Sequence, residues 1–190
     1  MRILMLGNSY TFYNELPSLL AELTGAEVVR HTRGGARLSE QLNPETGLGA
    51  KTLRALSEEK WDYVVLQEMS NGPVTAPKSF FSSVDRLCGL IRENGAVPVL
   101  YATWAYQKGG AELLEKGWDY DEMARGLAKA YRRAAEENGA LLAAVGDRFY
   151  ELSASENLYD ADGSHPNERG SRVAAETIAA VIRKYEEERA

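Results

Sequence analysis

The chain has a single cysteine, Cys88, in 190 residues, so no disulfide can form within it and the fold must rest on an ordinary core. Positive charge is also scarce: 22 Lys plus Arg stand against 28 Asp plus Glu, a net charge of −6 with no basic stripe of the kind that neutralises a phosphate backbone. Nucleic acid is not an expected partner. No apolar run approaches the ~20 residues of a membrane span. The opening run Ile3–Leu6 is too short for the centre of a signal peptide and leads into Gly7-Asn8-Ser9 without a cleavage pattern, which points to a cytoplasmic protein that begins with its first strand. Linkers, repeats and low-complexity tracts are missing, so 1–190 reads as a single domain. No Cys/His cluster or Gly-x-x-x-x-Gly-Lys loop calls for a structural metal or a bound nucleotide.

What the chain does have is 44% hydrophobic and 26% charged residues, and at this length a compact fold buries roughly 70% of its unfolded surface. Three junctions look alike: Thr24-Gly25-Ala26, Asn94-Gly95-Ala96 and Asn138-Gly139-Ala140 each put glycine where a helix stops and an apolar run begins. Ile3–Leu6 and Tyr63–Leu66 are continuous apolar runs suited to strands covered on both faces. Strands near 2, 27, 62, 97 and 141 alternate with helices over 14–24, 48–59, 78–94, 119–138 and 167–187; 67–77, 104–118 and 153–165 read as loops. This alternation predicts an α/β fold, a three-layer α/β/α sandwich with a five-stranded parallel sheet and flavodoxin-like topology. In such sheets ligands bind beyond the carboxyl ends of the strands.

Those ends carry polar residues with chemical potential. Ser9 follows the first strand at a strand-to-helix turn, where a serine is either a nucleophile or a helix cap. Asp162-Gly163-Ser164-His165 precedes the last helix, and a tight turn lets Asp162 orient the His165 ring so that its other nitrogen takes a serine proton; a capping Asp beside a surface His is the alternative. Gly35 can bring a backbone N–H close to a ligand or simply form a turn. Asn71 can donate to an anionic oxygen or belong to a turn ahead of Gly72 and Pro73. His31, with no nearby carboxylate, reads as structural or exposed, and Cys88 as a small buried hydrophobe. Tyr10, Phe12, Tyr13, Trp104, Tyr106 and Trp118 fall in loops, where rings pack or stack on a substrate. Glu68 is read as a solvated or lysine-paired carboxylate, with substrate contact as its other option.

Together these blocks resemble the SGNH hydrolases, the GDSL-like esterase superfamily. Gly7-Asn8-Ser9 is similar to the first block, Gly35-Ala36-Arg37-Leu38 to the second, Asn71 to the third and Asp162–His165 to the last. Asn8 replaces the usual Asp, and Met69 and Gly72 replace the usual Gly and Asp around Asn71. The resemblance implies Ser9 as nucleophile, His165 as general base and Asp162 as its partner. Ser9 N–H, Gly35 N–H and the Asn71 amide become the oxyanion donors, with Gln67 or Glu68 as alternatives to Asn71.

The resulting expectation is a serine esterase that cleaves a small carboxylic ester through an acyl-enzyme, without a metal or organic cofactor. The loop aromatics favour a carbohydrate O-acetyl ester, with Tyr10, Gln67, Glu68 and Trp104 as substrate-contact candidates. An acyltransferase would use the same triad with an acceptor alcohol in place of water. A non-catalytic module that binds phosphate at the Ser9 turn is the reading from a different class. Oligomeric state has no signature in the sequence.

Overall fold

The computed structural model describes all 190 residues. Five strands form one parallel sheet: β1 (Arg2–Gly7), β2 (Glu27–Thr32), β3 (Tyr63–Leu66), β4 (Val97–Tyr101) and β5 (Leu141–Ala143), in the spatial order 2-1-3-4-5. All four neighbouring pairs are parallel, with Leu4 opposite Val29 on one side and Val64 on the other. The chain leaves β1 towards one edge and returns to its other side as β3, so the order reverses at the β1/β3 crevice. This is the place where an open α/β sheet leaves room for a ligand.

The helices are α1 (Ser9–Phe12), α2 (Leu16–Thr24), α3 (Leu38–Gln41), α4 (Gly47–Glu58), α5 (Gly72–Thr75), α6 (Pro77–Asn94), α7 (Ala111–Glu115), α8 (Tyr120–Asn138), α9 (Val145–Leu152) and α10 (Glu168–Glu187). Alternation along β1 divides the core, because successive side chains point to opposite faces. Ile3 and Met5 join Leu16, Leu20, Phe149, Ala174 and Ile178 on the α2/α9/α10 side. Leu4 and Leu6 join Leu56, Val84, Leu87, Ile91 and Tyr131 on the α4/α6/α8 side. The three-layer α/β/α expectation is thus what the structure shows. Gly25, Gly95 and Gly139 take left-handed φ values of 67°, 92° and 52° at the helix stops that the sequence marks.

Local expectations also change: 67–77 and 104–118, expected as loops, hold the short helices α5 and α7, where Pro73 suits a first helical turn and Leu113 is buried. A helix from residue 14 is replaced by a short 3-10 turn over Tyr13–Glu15, after which α2 begins at Leu16. The apolar run 141–145 divides, with Val145 opening α9; Val145 and Phe149 lie one turn apart and are both fully buried. No helix of the chain is long and apolar enough to cross a membrane.

Candidate active site

The first segment is built around Asn8. Its side-chain oxygen accepts the Tyr10 N–H at 3.0 Å and caps α1, while its amide donates to Ala36 O at 3.4 Å. Ser9 is the first residue of α1, so its N–H has no acceptor within the helix. The Ser9 hydroxyl lies 2.8 Å from His165 Nε2.

His165 comes from a turn tied down at several points. Asp162 Oδ2 lies 2.5 Å from His165 Nδ1, and Asp162 Oδ1 accepts the N–H groups of Ser164 and His165, both at 2.9 Å. Gly163 makes the turn possible with a φ of 69°. Its carbonyl accepts the Gln107 N–H at 2.7 Å, and the Trp104 indole donates to Ser164 O at 3.1 Å. Burial pushes the Asp162 carboxyl up, but the Ser164 N–H and the ring and N–H of His165 outweigh it and hold the group below its ordinary value.

Chemically this arrangement can move a proton. A carboxylate on Nδ1 fixes the tautomer with the proton on that nitrogen, which leaves Nε2 as an acceptor facing the Ser9 hydroxyl.

Gly35 lies exposed in the turn closed by Ala36 N–H to Arg33 O at 3.0 Å, has a φ of 69°, and its own N–H makes no hydrogen bond within the protein. Asn71 stands at the start of α5. One amide hydrogen points to Tyr106 OH at 2.9 Å, and its oxygen accepts the Thr75 hydroxyl at 3.1 Å, which leaves the second amide hydrogen open. Ser70 Oγ also reaches Tyr106 OH, at 3.0 Å.

The four substrate-contact candidates lie elsewhere than expected. Tyr10, Gln67, Glu68 and Trp104 are only 2%, 0%, 2% and 1% exposed, so none presents a face to an incoming ester. Tyr10 stacks on Trp104 at 4.5 Å, and Trp104 stacks in turn on Phe149 at 4.0 Å. The case for a sugar stacking on these two rings falls with this burial. Glu68 is neither solvated nor paired with lysine. Its carboxylate accepts the N–H of Met69 at 2.8 Å and of Leu38, the first residue of α3, at 3.2 Å. Burial raises its pKa against the opposing pull of these two donors.

His31 is buried beside the Thr52 hydroxyl at 3.1 Å, and burial lowers its pKa to about 4. The Cys88 thiol is buried and pushed up to about 11, the opposite of an activated thiolate. Two contributors escape sequence reasoning. Ser164, inside the Asp-x-x-His block, meets the Tyr10 hydroxyl at 2.6 Å, and Asn14 donates to Pro166 O at 2.8 Å. Both bind the first segment to the last, a contact between chain ends that no local spacing announces.

The sequence profile of the GDSL-like lipase/acylhydrolase family matches residues 5–173, a span that holds every block described above. The chain belongs to this family. It is therefore an enzyme of an ester-hydrolysing class. This GDSL-like hydrolase is 51% identical to a protein of Slackia heliotrinireducens assigned to the SGNH hydrolases, with 96% of this chain and 98% of that one covered and a TM-score of 0.92. It shares its fold with an assigned arylesterase of Agrobacterium tumefaciens, at 22% identity, 96% and 98% coverage and a TM-score of 0.67. The same holds for an acetyl-xylooligosaccharide esterase from Geobacillus, at 15% identity, 95% and 93% coverage and a TM-score of 0.67. No curated protein matches the hydrolase significantly in sequence.

Proposed function

We propose that Ser9, His165 and Asp162 act as a catalytic triad that hydrolyses a small carboxylic ester through an acyl-enzyme. The observation that carries this reading is the unbroken relay from Ser9 Oγ to His165 Nε2 at 2.8 Å and from His165 Nδ1 to Asp162 Oδ2 at 2.5 Å. His165 takes the Ser9 proton as the serine oxygen bonds to the ester carbon, and the carbonyl oxygen becomes an oxyanion. The proposed donors to that oxygen are Ser9 N–H, Gly35 N–H and the open amide hydrogen of Asn71. The tetrahedral adduct expels the alcohol, which receives the proton from His165. Water then gives a proton to His165 and attacks the acyl carbon, and the second tetrahedral adduct releases the acid as the Ser9 oxygen leaves and takes that proton back from His165. Every proton transfer in that sequence passes through His165, while the backbone N–H groups only donate hydrogen bonds to the oxyanion.

Incubation with a fluorophosphonate, followed by peptide mass mapping, tests the assignment. Labelling at Ser9, abolished together with hydrolysis of short-chain aryl esters in Ser9→Ala, is the expected result. Labelling at another serine with activity retained in Ser9→Ala would remove the triad.

A further inference from the structure

The aromatic ring of Tyr13 lies face-on against the His165 imidazole, with ring centroids 4.3 Å apart and 19° between the planes. Tyr10 approaches the same imidazole edge-on at 5.5 Å and 79°. Ser9 holds Nε2 and Asp162 holds Nδ1. The hydrogen-bonding and aromatic partners of the ring are thus Ser9, Tyr10, Tyr13 and Asp162, of which Asp162 carries charge.

The placement of Tyr13 is not a by-product of a regular helix. Asn14 and Glu15, with φ of 50° and 53°, are the non-glycine residues of the chain in the left-handed region, and they follow Tyr13 in immediate succession. Two such residues in a row cost conformational energy and persist only where their surroundings hold them. Asn14 supplies that hold. Its amide donates to Pro166 O at 2.8 Å and to Ser171 Oγ at 2.9 Å, which fastens the backbone beside Tyr13 to the residues just after His165. The bend in the chain and the location of the base are therefore tied together, and Tyr13 sits at the tie.

We propose that Tyr13 is a positioning residue for His165 that also favours its protonated form through the face of the phenol ring. This inference rests on the triad reading. When His165 takes the Ser9 proton it becomes an imidazolium, and a cation over an aromatic face is attracted by the negative potential of the ring. Neutral imidazole lacks that attraction, so the contact strengthens as the reaction proceeds and acts on kcat more than on KM. The ring, and not the Tyr13 hydroxyl, carries the effect.

The test compares Tyr13→Leu with Tyr13→Phe. Tyr13→Leu is expected to lower kcat by roughly 2- to 30-fold with a smaller change in KM, whereas Tyr13→Phe stays near the parent. The acid limb of kcat/KM should move to lower pH by roughly 0.4 to 1.5 units in Tyr13→Leu alone. A second arm needs no turnover: the His165 ring signal, followed by NMR across pH without substrate, should change over a range displaced downward by the same amount. Buried His31, held at about 4, serves as the internal reference. Should Tyr13→Leu not fold, Tyr13→Gln makes the same comparison. An acid limb and a ring signal that do not move, or a Tyr13→Phe that behaves as Tyr13→Leu, would overturn the proposal. Loss of the triad reading would show separately, as failure of Ser9 to react with the phosphonate while the NMR displacement persists.

Discussion

The side-chain oxygen of Gln67 accepts the backbone N–H of Asn8 at 2.9 Å, and also the Thr11 hydroxyl at 2.8 Å. The residue just after β3 thereby holds both sides of the segment carrying Ser9, across the crevice where the strand order reverses. The Gln67 amide donates to the carbonyl of its neighbour Glu68, so both the oxygen and the nitrogen of the side chain have partners. Gly7 completes the fit, since a Cβ there would meet the Thr11 hydroxyl and the Gln67 oxygen. A residue expected to touch substrate is instead a buried strut between two loops.

Gln67→Leu should therefore destabilise the protein by about 1–3 kcal/mol, the cost of leaving a buried N–H such as that of Asn8 without an acceptor. Turnover per folded molecule should fall with it, because Ser9 loses its support. Urea unfolding alongside kcat and KM checks this. A substrate-contact role would show instead as a raised KM with unchanged stability.

Trp104 gives a parallel case. It is buried between Tyr10 and Phe149 and bonded to Ser164 O. Trp104→Ala should cost about 3–5 kcal/mol through the cavity it leaves. The KM of the surviving folded fraction should stay close to that of the parent. A raised KM with the melting temperature intact would return the indole to the substrate side.

These two residues show where the sequence stops being legible. The alternation of apolar runs with helix-stopping glycines carries the sheet and its five main helices, because burial on both faces of a parallel sheet writes itself into consecutive positions such as Ile3–Leu6. Ser9 and the Asp162–His165 turn are legible because their placement depends on local geometry at strand and helix ends. The direction a loop side chain takes depends on partners far along the chain. Glu68 turns inward because α3 offers it an N–H from Leu38, thirty residues away, and Trp104 because Phe149 and Tyr10 cover its faces. Aromatic and carboxylate residues in a loop look the same in sequence whether they point out or in. The break between Tyr13 and Leu16 escaped for a related reason: Asn14 and Glu15 have no intrinsic preference strong enough to announce a left-handed bend, and the bend is held by contacts to Pro166 and Ser171.

The pH dependence of stability follows from Asp162, whose carboxyl is held below its ordinary value in the folded protein. A group depressed on folding contributes stability that is present above its unfolded pKa, about 3.9 for Asp, and lost as the pH falls through its folded value. Asp162→Asn should therefore flatten the acid side of the stability curve below about pH 4 relative to the parent. At neutral pH the same variant should lose turnover, by up to on the order of 10,000-fold, since an amide can stabilise the wrong imidazole tautomer. Melting temperatures from pH 3 to 7 and kcat at pH 7 provide the two readings. Parallel acid limbs in parent and variant would show that the Asp162 contacts contribute nothing to folding.

Asn71 and Tyr106 supply the remaining prediction. In the free protein one amide hydrogen of Asn71 is held by Tyr106 OH and its oxygen by Thr75, which fixes the plane of the amide and aims the other hydrogen. If that hydrogen serves the oxyanion, its bond strengthens as the carbonyl oxygen gains full charge, and Asn71→Ala should lower kcat by roughly 100- to 1,000-fold, about 2.7–4 kcal/mol, with a smaller change in KM. Tyr106→Phe removes the acceptor that orients the amide, so it should lower kcat by less. Because the hydroxyl acts through Asn71, the double variant should be no slower than Asn71→Ala alone, a clear departure from additivity. A turn residue would behave otherwise: Asn71→Ala would lower the melting temperature and leave kcat per folded molecule nearly unchanged. Gln67 could not then take over as donor, since its side chain is fully buried, and Ser70, within reach of the same Tyr106 hydroxyl, would become the next position to replace.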